Sequence, residues 1–374
     1  MRSPLLPTYA RFGVTFVEGS GARLTADEGT TYLDFAAGIA VVGLGHRHPD
    51  VAAAAREQLD RLWHVSNLYW TEPMARLAEQ LSDRFGGAEA FFCNSGAEAV
   101  EAALKYARKA TGRPGAVALT DSFHGRTLGA LAVTGQPVKR AAFEPLPVPV
   151  RFARPNDVES LAAAFAPDTG LVLLEPVLGE GGVVPLDSAF LRAAADLAAE
   201  HGALLAFDEV QTGVGRTGTF FAWEQAGVRP DLVTLAKGLA NGLPLGCLLV
   251  AEESAGALGP GDHASTFGGN PVACAAACAV CDAIDDDLLA RVSLRGEELR
   301  SGLEAFGAVR DVRGLGLLVG AVLDQPAAVV VSECLERGLL VTSAGERVLR
   351  LTPPLTVERA DVDEGLDILR EVLA

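Results

Sequence analysis

Basic residues are in deficit: 31 Lys and Arg stand against 48 Asp and Glu, for a formal charge of −17. So acidic a chain is a poor nonspecific ligand for nucleic acid or acidic membranes, although one site can still be locally basic. Cysteine is scarce too. Cys93, Cys247, Cys274, Cys278, Cys281 and Cys334 are all there are, too sparse for a disulfide scaffold. Cys274, Cys278 and Cys281 recur at i, i+4, i+7 in an Ala-rich run. That spacing admits a metal site, but small residues packed on a buried helix face are the expectation. No apolar run approaches the ~18 residues of a membrane span. Pro4 and Pro7 interrupt the start, MRSPLLPTYARF, which lacks a signal peptide's apolar core. A cytoplasmic protein is expected. No internal repeat and no low-complexity linker occurs.

The 374 residues are 49% hydrophobic and 21% charged, enough for about two domains at ~150 residues each. Strand-like runs fall at 90–94, 116–120, 171–177, 204–210, 232–237 and 247–250, with helix-like stretches between several, such as FLRAAADLAAE stopped by Gly202. This alternation predicts an α/β fold with a mostly parallel central sheet. Long helical runs at 272–284 and 288–306 precede short strands at 317–323 and 348–353, which predicts a smaller α+β domain. The expected division is an N-terminal segment, 1–45, joining that small domain; a large domain, 46–270; and the C-terminal small domain, 271–374.

The apolar run LLAF leads into Asp208 and Glu209. A carboxylate at the end of a buried strand needs a cation or strong donors. In parallel sheets such strand ends are where ligands bind. Lys237 ends another apolar run and is followed at once by Gly238. A partly buried lysine has a lowered pKa, and its neutral amine can attack a carbonyl; it can also be a lysine reaching to the surface. Asn94-Ser95-Gly96 precedes an amphipathic helix, with Ser95 and Glu98 spaced as a capping box. A helix start of this kind is either an ordinary cap or a phosphate site. The loop SFHGRT offers the ring of Phe123, the imidazole of His124 and the guanidinium of Arg126, suited to stacking a flat ring and clamping a carboxylate. His124 is a candidate base with no nucleophile motif beside it. ASTFGGNP places Ser265 and Thr266 before Asn270-Pro271, a helix-entry loop whose hydroxyls suit phosphate oxygens.

Each signal is ambiguous alone. Together they describe a flat phosphorylated ring with a carbonyl for Lys237 and a protonated nitrogen for Asp208. Pyridoxal 5′-phosphate is such a ligand.

Nine ordered stretches also resemble the class III (subgroup II) aminotransferases of fold type I: YLDFAAGIAVVGLGHRHP, HVSNLYWTEP, FFCNSGAEAVEAALKYAR, DSFHGRTLGAL, LLEPVLGEGGV, LLAFDEVQTGVGRTG, LAKGLANGLPLG, HASTFGGNPVACAAA and RLTPPL. Val100 stands where relatives often carry Asn. The resemblance implies a large domain with a mostly parallel sheet and a smaller α+β domain. It implies that Gly96 and Ala97, helped by Ser95, hold the cofactor phosphate, that Phe123 and Val210 pack the ring faces, and that Gln211 lies near the phenolic oxygen. Asp208 would pair with the ring nitrogen, Glu209 would lie in the cofactor site, and Lys237 would form the Schiff base. Thr266 would reach the phosphate of a neighbouring subunit, which implies a homodimer with shared sites. Arg126 and Ser265 would contact substrate. Arg350 would bind the α-carboxylate of 2-oxoglutarate, and Glu180 would neutralise it while the donor is bound. The implied reaction moves the terminal amine of N2-acetyl-L-ornithine to 2-oxoglutarate, a step of arginine biosynthesis. Ornithine, succinylornithine, 4-aminobutyrate and carrier-bound lysine stay open as donors.

A different class, a dinucleotide-dependent dehydrogenase, would use Gly213-Val-Gly-Arg-Thr-Gly218 as a G-x-G-x-x-G loop. That fingerprint must open a helix directly after a strand. Here Asp208-Glu209 intervenes, and Thr219-Phe220-Phe221 is a poor helix start. A non-catalytic binding protein on the same fold would need neither Lys237 nor Asp208 nor the two arginines.

Overall fold

The computed structural model describes residues 4–374; residues 1–3 of the N-terminal segment lie outside the described part. Its centre is a seven-stranded sheet. In spatial order the strands are Ala88–Cys93, Gly246–Ala251, Leu232–Leu235, Leu204–Asp208, Thr169–Leu174, Gly115–Leu119 and Val150–Ala153. Gly246–Ala251 runs antiparallel to both neighbours, and the other pairs are parallel. The expected mostly parallel sheet is therefore present, and all six expected strands lie in it.

These strands carry continuous apolar runs because both faces are covered. Side chains alternate between the faces with period two. Ala116, Ala118, Leu171 and Leu173 pack with Val100, Ala103 and Ala107 of the helix Gly96–Thr111. Val117, Leu119, Val172 and Leu174 pack with Phe190, Leu191 and Ala194 of the helix Ser188–His201. Gly202 ends that helix at φ +60°, the left-handed conformation glycine adopts without steric cost.

Two details depart from expectation. Val150–Ala153 is an additional edge strand. It is short, half-buried and interrupted by Arg151, so its apolar pattern is weak, as edge strands often are. The run 171–177 stops as a central strand at Leu174. Pro176 follows and offers no N–H to a ladder. Val177–Leu178 pairs instead with Val184–Pro185 in a separate two-stranded ribbon.

A second sheet is antiparallel: Val309–Leu315, Leu318–Leu323, Val348–Leu351 and Thr342–Ser343. The helix Asp286–Glu304 lies so close that a Cβ added at Gly296 would meet the carbonyl oxygen of Gly316 at 2.1 Å. A third sheet joins the two ends of the chain. Phe16–Ser20, Arg23–Ala26 and Thr31–Asp34 continue into Leu339–Leu340, with Leu33 N–H donating to Gly338 O at 2.7 Å and Phe35 N–H to Leu340 O at 2.9 Å.

The helix Pro271–Ala283 is capped by Asn270, whose Oδ1 accepts from Val272 N and Ala273 N. It packs against the helices Pro49–Leu59 and Glu72–Phe85. Its three cysteines are buried in that contact. Burial pushes the Cys281 thiol up to about 12, so it is neutral and packs as a small apolar group.

Candidate active site

Five segments leave the carboxyl edge of the central sheet and converge on a cavity of 440 Å³. Asp208 closes its strand, Lys237 follows Leu232–Leu235, Glu175 follows Thr169–Leu174, and Asn94 and Ser95 follow Ala88–Cys93. The loop of Phe123, His124 and Arg126 follows Gly115–Leu119. Parallel neighbours bring their ends to one edge, so distant residues meet there. Gly96, Ala97, Val210 and Gln211 complete the parts of the wall anticipated from the sequence.

Asp208 is 4% exposed. Its Oδ2 lies 2.7 Å from His124 Nδ1, and its Oδ1 accepts from Thr234 Oγ1 at 3.0 Å and Val210 N at 3.1 Å. Three donors hold the acid in place, which answers part of its desolvation cost. His124 is thereby committed to Asp208 and supports it. Its Nε2 is buried with no partner.

Lys237 sits at φ +42°, in the left-handed region that costs a non-glycine residue about 1–3 kcal/mol. Ala236 before it is also far from helical values, and a short 3₁₀ turn, Lys237–Ala240, follows. Burial pulls the amine below the ordinary lysine range, and Arg350 pulls in the same direction. Glu180, Asp208 and Glu175 oppose this. The net shift favours the neutral form of the amine more than in an exposed lysine, which suits a nucleophile.

At the mouth of the helix Gly96–Thr111, Ser95 caps through its side chain, accepting from Glu98 N at 3.2 Å. Glu98 reaches back one residue further than a capping box does, accepting from Asn94 N at 2.7 Å. The N–H groups of Gly96 and Ala97 meet no acceptor among the described residues. A Cβ at Gly96 would approach Val210 Cγ1 to 2.8 Å, so only glycine lets this backbone lie against the cavity wall. Open amides at a helix N-terminus suit an anion.

Arg350 lies in the strand Val348–Leu351, is 1% exposed, and does not line the cavity. Its Nη1 donates to Glu180 Oε1 at 2.7 Å, Gly179 O at 3.0 Å and Gln211 Oε1 at 3.2 Å, and its Nε donates to Thr342 Oγ1 at 3.1 Å. Burial raises the pKa of Glu180, but the charge and hydrogen bond of Arg350, with Lys139 and Lys237, hold it below the usual carboxylate range. Arg126 lies 5.7 Å from the centroid of the Phe123 ring.

Besides Arg350 and Glu180, three expected site residues lie outside this cavity. Glu209 does not line the cavity. It is 1% exposed and accepts from Ala222 N at 2.8 Å, Trp223 N at 2.9 Å and Thr212 Oγ1 at 3.1 Å. Adjacent residues leaving a strand point to opposite sides, so Asp208 and Glu209 cannot share the cavity. Ser265 and Thr266 line a second cavity of 620 Å³. Ser265 Oγ accepts there from Asn94 Nδ2 at 3.2 Å and Gly268 N at 3.0 Å, and Thr266 is exposed. Within one chain neither reaches the Lys237 cavity.

Burial pushes Glu209 up to about 7 from an ordinary 4.5. Between these values the folded protein keeps a proton that the unfolded chain has released. Stability contributed by this group therefore falls as pH rises from 4.5 towards 7, by up to ~1.4 kcal/mol per pH unit. In urea titrations at several pH values, Glu209→Gln is expected to gain on the wild type steadily across that window. A constant difference between the two proteins would contradict this.

Two further residues bear on the site, Glu175 in its wall and Lys139 beside it, and sequence reasoning does not single them out. Glu175 is 5% exposed and accepts from Phe123 N at 2.8 Å and Gly179 N at 3.1 Å. Burial, helped by Asp208, pushes it up to about 7 against the pull of His124. Lys139 stands with its Nζ 4.5 Å from the Phe123 ring centroid and 3.8 Å from Glu180 Oε2. Glu175 is a carboxylate ending an apolar run, the same signal that marks Asp208. Lys139 lies in no such pattern.

The G-x-G-x-x-G stretch 213–218 forms turns, and the next helix is only Trp223–Ala226. Arg216 within it is buried and donates to the carbonyls of Leu317 and Pro353. It is a structural joint and opens no dinucleotide-binding helix. Among the described residues, no cluster of His, Cys, Asp or Glu is placed to hold a metal ion.

Residues 7–373 match the family described as aminotransferase class-III. The chain is 46% identical to the acetylornithine aminotransferase of Corynebacterium efficiens, over 99% of this chain and 95% of that one. Among solved structures it is similar to the N-acetylornithine aminotransferase of Stenotrophomonas maltophilia, with a TM-score of 0.85 and 39% identity over 97% of this chain and 96% of the other. It is also similar to the ornithine aminotransferase of Toxoplasma gondii, with a TM-score of 0.94 and 30% identity over 99% and 91%. With a reactive-type lysine, a braced aspartate and open helix amides in one cavity, and with a family match across nearly its whole length, the chain belongs to the class-III aminotransferases.

Proposed function

We propose that this aminotransferase moves the terminal amine of N2-acetyl-L-ornithine to 2-oxoglutarate, giving N-acetylglutamate 5-semialdehyde and glutamate. The carrying observation is the meeting of Lys237 and Asp208 at neighbouring strand ends in one cavity, beside the Arg350–Glu180 pair. The choice of donor is supported by the likeness to acetylornithine aminotransferases at about half identity over nearly full length.

The cavity fits pyridoxal 5′-phosphate. The unpaired amides of Gly96 and Ala97 would hold its phosphate, Phe123 and Val210 would pack its ring, and Gln211 would lie by its phenolic oxygen. When bound, the cofactor supplies an electron sink for a carbanion on the substrate. Asp208 would keep the ring nitrogen protonated, with Thr234 and His124 holding the carboxylate in place. Lys237 would hold the cofactor through its side-chain amine. The same amine, when free, would be the base and acid that moves the substrate proton. Arg126 is suited to a carboxylate far from the reacting amine. Arg350 is suited to the α-carboxylate of the acceptor once Glu180 moves aside, since guanidinium pairs with carboxylate bidentately.

Two copies would complete the site. Thr266 and Ser265 face the second cavity, and Trp63, Leu68, Tyr69, Trp70 and Phe267 near it are exposed. Clustered apolar surface of this kind marks an interface. A homodimer would bring Thr266 to the partner's phosphate. We assign residues 1–45 and 271–374 to a small domain around 46–270. The pairing of Thr31–Asp34 with Leu339–Leu340 favours this division, while the helix Pro271–Ala283 packs back onto the large part. No helix of the described residues is long and apolar enough to cross a membrane, and a cytoplasmic enzyme is the reading we adopt.

The test is the first half-reaction, followed by absorbance on cofactor-loaded protein without acceptor. N-acetylornithine, ornithine, succinylornithine, 4-aminobutyrate and lysine are mixed in turn. N-acetylornithine is expected to bleach the lysine-linked cofactor band fastest. Faster bleaching by another donor would replace the substrate and leave the family intact.

A further inference from the structure

Glu180 faces two cations, one on each oxygen. Oε1 meets Arg350 Nη1 at 2.7 Å, and Oε2 lies 3.8 Å from Lys139 Nζ. Arg350 is 1% exposed, so a substrate carboxylate reaches its guanidinium only after Glu180 has moved. The departing carboxylate is itself mostly covered, with its side chain 23% exposed. Such a group needs a new cation when it loses the old one, because an unpaired charge in a covered site is costly. Besides Arg350, the cations acting on Glu180 are Lys139 and Lys237, and Lys237 is committed to the cofactor in the reading above.

Lys139 is well placed for the exchange. It comes from the short helix Pro137–Arg140, an element distinct from those carrying Arg350 and Glu180. Its ammonium sits over the Phe123 ring, which holds the head near the cavity wall. The charged groups acting on it are Glu180 and Glu175, which favour its charge, and Arg126 and Arg350, which oppose it. Burial also lowers its pKa. Removing Arg350's claim on Glu180 frees that carboxylate to pair fully with Lys139.

We propose that Lys139 is a positioning residue that receives the Glu180 carboxylate when Arg350 turns to the acceptor, so that it selects for a dicarboxylate in the second half-reaction. This rests on the reading of Arg350 and Glu180 given under Proposed function. With the donor bound, Glu180 stays on Arg350. With the acceptor bound, Glu180 transfers to Lys139, and no bond to carbon changes.

The experiment measures both half-reactions separately on the holoenzyme by stopped-flow absorbance, with N-acetylornithine and with 2-oxoglutarate. Lys139→Met is expected to shift the ratio of their kcat/KM values about two- to fivefold against the acceptor, the scale of one partly exposed ion pair. Lys139→Arg keeps the charge and should restore the ratio. In wild type the acceptor step should weaken as pH rises through the lowered pKa of Lys139, and Lys139→Arg should carry that loss to higher pH. In a Glu180→Gln background, Lys139→Met should add nothing. Continued loss there means that Lys139 binds substrate directly, which overturns the proposal. Equal slowing of both half-reactions by Lys139→Met, or none, overturns it as well. If Glu180→Gln alone leaves the ratio unchanged, the Arg350–Glu180 reading itself fails, and the proposal with it.

Discussion

Lys237→Ala is expected to lower turnover by at least ~10³-fold, because the side chain would serve both as Schiff-base partner and as proton carrier, and a positioned acid–base group alone contributes ~10²–10⁴-fold. The variant's holo spectrum should lack the lysine-linked cofactor band. A folding effect is read separately from the apo melting temperature. The native fold holds this amine below its ordinary pKa of 10.5, so the unfolded chain binds more protons between the two pKa values. Stability from this group is therefore fully present above the unfolded pKa and is lost as pH falls through the window. Removing the amine relieves that loss, and the apo variant should melt no lower than the apo wild type at neutral pH. Steady-state rates and apo melting temperatures check both halves. Near wild-type turnover in Lys237→Ala would falsify the assignment of the lysine.

Asp208→Asn is expected to cost ~10²–10³ in kcat, the range seen when one preorganised electrostatic partner is removed from a buried site. The amide keeps the shape of the carboxylate. Its oxygen can still accept from Thr234 Oγ1 and Val210 N, the two donors now on Oδ1. What disappears is the charge that would hold a proton on the ring nitrogen. Asp208→Ala is the less informative change. It would leave Thr234, Val210 and His124 unpaired in a buried site, at about 1–3 kcal/mol for each stranded group, so lost activity would mix with lost stability. The decisive comparison is kcat and melting temperature in Asp208→Asn. A melting temperature near wild type with a large fall in kcat supports an electrostatic role, and turnover within a few-fold of wild type removes Asp208 from the chemistry.

Lys237 and Asp208 are both legible in the amino-acid sequence. Each ends a continuous apolar run with a charge, and a chain seldom places a charge there without a partner. Gly96 and Ala97 are legible for a similar reason, since small residues after a capping serine leave amides open. Glu175 carries the same mark as Asp208, but its run continues through Pro176 into Val177, which hides the strand end. Glu209 is misleading in the sequence, because a neighbour along the chain need not be a neighbour in the site. The pleat separates it from Asp208 and turns it to the backbone of Ala222 and Trp223.

Local pattern also locates six of the seven central strands and the helices between them. The edge strand Val150–Ala153 escapes because it is short, charged and half-buried. Strand order has no local signature. The sheet places Leu204–Asp208 between Leu232–Leu235 and Thr169–Leu174, and that order brings Asp208, Lys237 and Glu175 to one cavity.

By itself, then, the sequence determined the elements, the sheet type and the chemical kind of the reactive groups, because periodicity, caps and charges at strand ends are encoded within a few residues. Tertiary structure alone decided which charges meet. Glu180 and Arg350 are separated by 170 positions and lie 2.7 Å apart, and Lys139 reaches the same carboxylate from a short helix with no motif of its own. His124 finds Asp208 across 84 positions. Such pairings depend on the order and register of strands, which is a property of the whole packed sheet and of the low dielectric it creates around the few charges it encloses.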